Sequence, residues 1–176
     1  LGIGVIRPRR QILGSYFSGE IEEIGREVTR FSVGDAVFGS AQIRFGAYGE
    51  YFCLPESYPL CPKPEHCTFE EAAAVPLGGL NALHFMKAAK LQRGESALIN
   101  GAGGSIGIYA IQIAKHLGAQ VTAVDGAHKE QLVREAGADH FIDYRRASFS
   151  DQVDRYDVVF NVIAGADFKA CMRSLR

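Results

Sequence analysis

Hydrophobic and polar positions in the second half of the chain alternate between continuous apolar runs and helix-like spacing. Apolar side chains recur every three to four residues over 106–117, where Gly118 is placed to end a helix. A second helix is predicted over 129–136, closed by Gly137. Apolar runs predict four β-strands, over residues 96–100, 120–125, 140–144 and 157–163. This alternation predicts a doubly wound α/β sheet of parallel strands.

The first part of the chain has a different texture, because residues 19–56 are rich in glycine and aromatic residues. Three strand-like segments separated by turns are predicted there, over 19–25, 33–39 and 46–55. Short antiparallel strands of this kind form small barrels or sandwiches. The expected fold class is therefore α/β, with a partial doubly wound parallel sheet preceded by a β-rich region.

Prolines and a capping motif mark the passage between these two parts. Pro62 opens a stiff, extended connector, and Thr68 with Glu71 forms a capping box that predicts the start of a short helix. Pro76 is expected to break that helix, and a longer helix is predicted over 77–89. The β-rich part and the α/β part should therefore meet between Pro62 and Pro76.

A cluster of glycines follows the predicted strand 96–100 and precedes the helix 106–117. Gly101, Gly103 and Gly104 permit a tight turn and let backbone N–H groups approach a phosphate without a Cβ in the way. Gly107 lets the helix lie close against the strand. The turn is a variant of the dinucleotide fingerprint, with Ala in the first place; its members are Gly101, Ala102, Gly103, Gly104, Ser105, Ile106 and Gly107. The alternative is a glycine-rich surface loop between unrelated elements.

Asp125 ends the next predicted strand, about 20 residues beyond the glycines, where an acidic side chain accepts the hydroxyls of an adenosine ribose. Its carboxylate would repel a 2′-phosphate, which favours NADH. His128 and Lys129 follow closely and would suit NADPH. The residues leave the choice between the two cofactors open.

Composition excludes several other classes. The chain has 176 residues, enough for one domain or two small ones, and a net charge of −1 argues against nucleic acid or an anionic membrane as a partner. No apolar run reaches the length of a membrane span, and no secretory signal opens the chain, so a cytoplasmic location is expected. The four cysteines lack C-x-x-C spacing and the five histidines are scattered, so no metal site is expected.

Several short motifs occur in an order that resembles the medium-chain dehydrogenase/reductase superfamily, and in particular its zinc-independent quinone oxidoreductase-like branch. They lie at residues 14–25, 31–39, 46–51, 69–76, 79–82, 102–107 and 132–144. The resemblance implies a partial GroES-like domain over 1–76 and a partial Rossmann-type dinucleotide-binding domain over 77–176. Family members are about twice this length, so the chain is expected to be a middle piece of a protein that is a homodimer when intact.

The resemblance implies a zinc-independent oxidoreductase that transfers hydride from NADPH or NADH to a small quinone or α,β-unsaturated carbonyl. Zinc-dependent relatives carry a histidine where this chain has Ser15, and a hydroxyl is a poor zinc ligand. One alternative is therefore a zinc-type alcohol dehydrogenase relative that has lost its metal site. Others are a non-catalytic nucleotide-binding or structural module, and a reductase module within a polyketide or fatty-acid synthase.

The family's own pattern also bears on the candidate site residues. Asn81 stands where the family usually has a threonine that contacts nicotinamide and phosphate. Catalytic residues stay unknown, because the family's substrate-facing tyrosine falls upstream of Leu1 and its later nicotinamide contacts fall beyond Arg176. The cofactor-binding residues predicted in addition to the 101–107 turn are Asn81, Asp125, Lys129 and Tyr144.

Overall fold

Residues 11–152 and 154–176 are described by a computed structural model, which contains two sheets in two compact units. The division between the units falls after Pro76. The first unit holds a three-stranded antiparallel sheet and the second a four-stranded parallel sheet.

The sheet of the first unit has the order β1-β2-β3, formed by Tyr16–Glu20, Ala36–Ser40 and Leu60–Pro62. Phe31, Val37 and Ala41 supply its buried apolar side chains. A short 3₁₀ turn, Gln42–Arg44, follows β2.

Two strand predictions in this unit need correction. The first strand was expected over 19–25, but β1 begins at Tyr16 and ends at Glu20, because it pairs residue for residue with β2 from Tyr16↔Ser40 to Glu20↔Ala36. Beyond it, Ile21 only exchanges hydrogen bonds with the turn before β2.

The third strand was expected over 46–55, and that prediction is wrong. The free edge of β2 is taken instead by Leu60–Pro62, through pairs such as Phe38↔Cys61. Residues 46–49 turn back on themselves, with Gly46 at φ +110° and the Gly49 N–H donating to the Gly46 carbonyl at 3.0 Å. The run 46–55, rich in aromatic residues and closed by proline, was a plausible strand, but Leu60–Pro62 pairs with β2 instead.

A single helix, α1 (Phe69–Ala89), replaces the two helices expected on either side of Pro76. Its start is the predicted capping box: the Thr68 N–H donates to Glu71 Oε2 at 2.9 Å, and the Glu71 N–H donates to Thr68 Oγ1 at 3.2 Å. Pro76 lies inside α1. A proline inside a helix removes one backbone donor and crowds the carbonyl four residues earlier, which kinks a helix or ends it. Here α1 continues to Ala89, so the expected break is wrong.

The second unit follows the predicted alternation of strands and helices. In chain order its elements are β4 (Ser96–Asn100), α2 (Ser105–His116), β5 (Gln120–Asp125), α3 (Glu130–Glu135), β6 (His140–Asp143), β7 (Val158–Asn161) and α4 (Phe168–Arg173). All strand pairs are parallel, in the order β6-β5-β4-β7. The short 3₁₀ turns Ala127–Lys129 and Phe149–Asp151 fill two of the connections.

The two central strands, β4 and β5, are buried on both faces. Leu98, Ile99, Val121 and Val124 have no accessible surface. On one face they pack with α1, α2 and α3, and Ile111 of α2 is fully buried there. Burial on both faces explains why these strands are apolar at successive positions.

Asp157 joins the amino-terminal ends of β4 and β7, at the edge of the sheet opposite the glycine-rich turn. Its Oδ2 accepts hydrogen bonds from the Ser96 N–H and the Ser96 hydroxyl, both at 2.8 Å, and Arg176 Nη1 lies 2.6 Å away. The Ser96 N–H, then the Arg176 guanidinium, lower the pKa of Asp157 to about 2.

Candidate dinucleotide-binding site

The glycine-rich turn, which follows β4, is hydrogen-bonded to the last residues of β5. The N–H groups of Gly101 and Ala102 both donate to the Val124 carbonyl, at 3.0 and 3.1 Å. Gly101 has φ +84°, a left-handed conformation that glycine adopts without a steric penalty. The turn therefore leaves β4 sharply and directs the chain into α2.

The start of α2 offers backbone donors to a ligand. The first bond along the helix joins the Ile108 N–H to the Gly104 carbonyl at 2.9 Å, and no side chain caps the end. The N–H groups of Ser105, Ile106 and Gly107 therefore lie at a positive helix end without intrahelical acceptors. A methyl group at Gly104 would meet only the Gly101 carbonyl oxygen, at 3.5 Å, so this side of the turn is open. Open space beside three amides at a helix start fits a pyrophosphate.

Gly107 fits α2 against the turn. A Cβ at this position would collide with the Gly101 carbonyl oxygen and would lie 2.5 Å from the Ala102 oxygen and 2.7 Å from the Ala102 carbonyl carbon. These neighbours are backbone atoms that cannot rotate away. The predicted role of Gly107 in close packing agrees with this geometry.

The turn lies at the point where the strand order reverses. From β4 the chain moves outward to β5 and β6, and then returns to place β7 on the other side of β4. Open α/β sheets bind ligands at the carboxyl ends of the strands, in the crevice formed by such a reversal.

Asp125, Lys129 and Tyr144 lie together on the β5–β6 side of the turn. Asp125 Oδ2 accepts from the Gly103 N–H at 2.7 Å, and Oδ1 accepts from the Gly126 N–H at 2.8 Å. Lys129 Nζ lies 3.7 Å from Oδ1. Tyr144, 54% exposed, follows β6 and donates its N–H to the Asp125 carbonyl at 3.3 Å. The predicted contact of Asp125 with a ribose stays a prediction.

A cavity of about 360 Å³ lies on the β7 side of the turn. Its wall is mainly apolar, and Phe85 and Phe160 stand with their ring centres 5.9 Å apart. Asn81 of α1 also lines it, with its Nδ2 donating to the Leu77 carbonyl at 2.8 Å. The other residues that line it include Ile106, Asn161, Val162 and Phe168.

Two asparagines that the sequence analysis did not single out connect the strands beneath the turn. Asn100 Nδ2 donates to Asn161 Oδ1 at 2.8 Å, and Asn161 Nδ2 donates to the Ile163 carbonyl at 3.1 Å. Each asparagine is the last residue of its strand, β4 or β7. The sequence signal that could have indicated them is a polar residue at the end of an apolar run.

Ser15, compared above with a zinc-ligating histidine, lies just before β1 in the first unit. Its hydroxyl donates to the Gln42 carbonyl at 3.1 Å. Within residues 11–152 and 154–176, no three His, Cys, Asp or Glu side chains are grouped so as to hold a metal ion. In the same part of the chain, no helix is long and apolar enough to cross a bilayer.

Two family models match this chain. The alcohol dehydrogenase GroES-like domain matches residues 3–65, and the zinc-binding dehydrogenase family matches residues 105–176. The chain belongs to the medium-chain dehydrogenase/reductase superfamily. Its fold class, a partial doubly wound Rossmann-type sheet after a partial GroES-like sheet, is confirmed.

Curated relatives include quinone oxidoreductases and polyketide synthase proteins. A quinone oxidoreductase of Pseudomonas aeruginosa is 41% identical over 143 residues, which cover 80% of this chain and 43% of that protein. The spectinabilin polyketide synthase system protein NorB of Streptomyces orinoci is 35% identical over 182 residues, covering 100% of this chain and 8% of that protein.

Solved structures of related proteins share the fold of this chain. The quinone oxidoreductase of Coxiella burnetii has a TM-score of 0.86 at 30% identity, over 93% of this chain and 52% of that chain. A mycobacterial protein in complex with NADPH has a TM-score of 0.82 at 32% identity, over 96% of this chain and 55% of that chain. The chain thus spans about half the length of these proteins and of the Pseudomonas relative.

Proposed function

We propose that the protein is an NAD(P)H-dependent reductase that delivers hydride to a quinone or to the β-carbon of an α,β-unsaturated carbonyl. The observation that carries this proposal is the open, uncapped start of α2 at the reversal of strand order, beside the 101–107 turn. The quinone oxidoreductases among its relatives support the choice of substrate class.

The start of α2 and the strand ends would bind different parts of the dinucleotide. The amides of Ser105, Ile106 and Gly107 would hold the pyrophosphate, because they lack intrahelical acceptors. Asp125 and Tyr144, at the ends of β5 and β6, would border the adenosine half. The nicotinamide half would then extend to the β7 side.

The cavity on the β7 side suits that second half. Its apolar wall would exclude water from the reacting ring, and Asn81 and Asn161 would offer the few polar groups that orient it. The bound nicotinamide supplies the hydride. A quinone or enone accepts hydride directly, since its oxygen takes up the charge, so no Lewis acid is required. Ser15, which donates its hydroxyl to a carbonyl and is a poor zinc ligand, supports zinc independence.

Hydride-transfer assays on the whole protein test the proposal. We expect oxidation of NADPH or NADH that depends on 1,4-benzoquinone or on a 2-alkenal, and that survives dialysis against a chelator. Tight nucleotide binding without oxidation of the cofactor would instead establish a non-catalytic module. Loss of activity on chelation, restored by zinc, would refute zinc independence alone.

A second candidate function is a reductase module of a polyketide synthase. The observation that favours it is the match to NorB, which covers the whole of this chain. Steady-state comparison of an enoyl thioester with 1,4-benzoquinone separates the two, because a synthase module would prefer the thioester.

We also propose that the intact protein is a cytoplasmic homodimer. Its four cysteines are all free, which agrees with a reducing compartment. Light scattering of the whole protein would test the dimer, and a monomeric mass would refute it.

A further inference from the structure

Asp125 is the acidic residue from which a preference for NADH would ordinarily be inferred, yet its carboxylate is turned toward the protein. Oδ2 accepts from the Gly103 N–H at 2.7 Å and Oδ1 from the Gly126 N–H at 2.8 Å. The side chain is only 11% exposed. Each oxygen is therefore already held by a backbone donor, one in the glycine-rich turn and one after β5.

Lys129 covers the same carboxylate from the outside. A Cβ at Gly103 would collide with Lys129 Cδ and would lie 3.1 Å from both Lys129 Cβ and Asp125 Oδ2. The Lys129 stem thus passes directly over Gly103, and its ammonium lies 3.7 Å from Asp125 Oδ1. A positive charge at this distance offsets the field that the carboxylate would present to a ligand.

The other groups around Asp125 add one further acid, Asp143, which has partners of its own. The His128 ring lies against Gly126, since a Cβ there would be 2.9 Å from His128 Nδ1, and Tyr144 Cε1 would be 3.7 Å from the same point. The Arg145 guanidinium lies 5.8 Å from the centre of the Tyr144 ring. Asp143 ends β6 directly opposite Asp125, but its Oδ1 accepts from the Arg145 N–H at 3.1 Å and its Oδ2 lies 3.5 Å from Arg146 Nε.

We propose that Asp125 is a positioning residue that ties the phosphate-binding turn to the end of β5, and that it does not discriminate between NADH and NADPH. This inference rests on the proposed function for its second half. With Gly103 held by Asp125, the turn keeps one shape before any nucleotide arrives, and the amides at the start of α2 stay aimed at the pyrophosphate. A pre-organised site of this kind binds both dinucleotides better, whatever their 2′ substituent.

The first measurement needs no nucleotide. Amide hydrogen exchange of Gly103, measured in the unaltered protein and in Asp125→Asn, reports directly on the hydrogen bond from the Gly103 N–H to Asp125. Asparagine keeps an oxygen that can accept from the Gly103 N–H but loses the charge, and a charge-assisted hydrogen bond is about twice as strong as a neutral one. We therefore expect exchange at Gly103 to quicken by about 3–10-fold. Asp143→Asn is the matched control: it removes the same charge from the adjacent strand end, and Gly103 should exchange as before.

The second measurement is calorimetric binding of NAD⁺ and NADP⁺. We expect Asp125→Asn to weaken both by a similar factor, about 3–30-fold, with their affinity ratio changed by less than about 2-fold. Unaltered Gly103 exchange in Asp125→Asn would overturn the positioning role, and a gain of about 10-fold for NADP⁺ over NAD⁺ would restore Asp125 as the discriminator. Failure of the unaltered whole protein to bind either nucleotide would overturn the proposed function, whereas the Gly103 exchange result would still decide whether Asp125 holds the turn.

Discussion

Gly107→Ala should weaken folding and nucleotide binding together, because this residue fits α2 against the turn. The added methyl group would meet the Gly101 oxygen and lie 2.5 Å from the Ala102 oxygen, and neither atom can move without the turn. Because these neighbours are backbone atoms, overpacking should cost about 2–3 kcal/mol, the upper part of the usual range, and alanine's better helix propensity returns about 1 kcal/mol. We expect a net loss of about 1–2 kcal/mol in the free energy of unfolding.

Gly104→Ala is the matched comparison, three residues earlier in the same turn. Its methyl group would have one neighbour, the Gly101 oxygen at 3.5 Å, and its φ of −90° suits any residue. The weaker N-cap and the less flexible unfolded chain offset each other, so stability should change by less than about 0.5 kcal/mol. The methyl group would, however, occupy the space proposed for the phosphates, so nucleotide affinity should fall.

Urea unfolding followed by circular dichroism measures the stability of both variants, and calorimetry measures their affinity for NADP⁺. Equal stability of Gly107→Ala and the unaltered chain would refute the steric reasoning. Unchanged nucleotide affinity in Gly104→Ala would refute the position assigned to the phosphates.

Three further predictions concern the second unit. The pKa of Asp157 is lowered to about 2, so its contribution to the free energy of unfolding is complete above the unfolded-state pKa of about 4 and is lost as the pH falls toward 2. Asp157→Asn should therefore make the free energy of unfolding fall less steeply between about pH 4 and pH 2. An unchanged slope in this range would contradict the prediction. Burial raises the pKa of the Cys171 thiol, so mass spectrometry should find it alkylated more slowly than the exposed Cys53 until urea removes the difference; equal native rates would refute its burial. Leu98→Ala should cost about 2–5 kcal/mol because it empties a fully buried position, against less than about 1 kcal/mol for Leu132→Ala, which is 47% exposed; similar losses would refute the packing assignment.

Local sequence pattern was sufficient to predict an element wherever one physical cause determined it. Strands β4 and β5 could be predicted because burial on both faces demands apolar residues at successive positions. The tight turn at 101–107 could be predicted from its glycines. Gly101 adopts a left-handed conformation and Gly107 leaves no Cβ in the way, so the strand can pass abruptly into the helix. The capping box at Thr68 is likewise a local event, since its partners lie three residues apart.

Local sequence pattern could not predict which of two distant segments pairs with a given strand. Residues 46–55 are rich in aromatic residues, as a strand can be, but Leu60–Pro62 pairs with the edge of β2, and only the tertiary fold decides which segment pairs. Pro76 carries a strong local signal to end a helix, yet α1 continues through it. The later turns of α1 bury Ala82 and Met86 in the core, and this burial offsets a proline cost of about 3 kcal/mol.

The sequence by itself determined the order of strands and helices in the second unit, the position of the glycine-rich turn and the family, because these depend on contacts between near neighbours in the chain. Only the tertiary structure decided where Asp125 points. Its spacing from the glycines is that of a ribose ligand, but the Gly103 N–H, 22 residues earlier, lies within 2.7 Å and takes the carboxylate. Spacing determines which residues reach an edge of the sheet, whereas the direction of a side chain there depends on every donor and charge that the fold brings beside it.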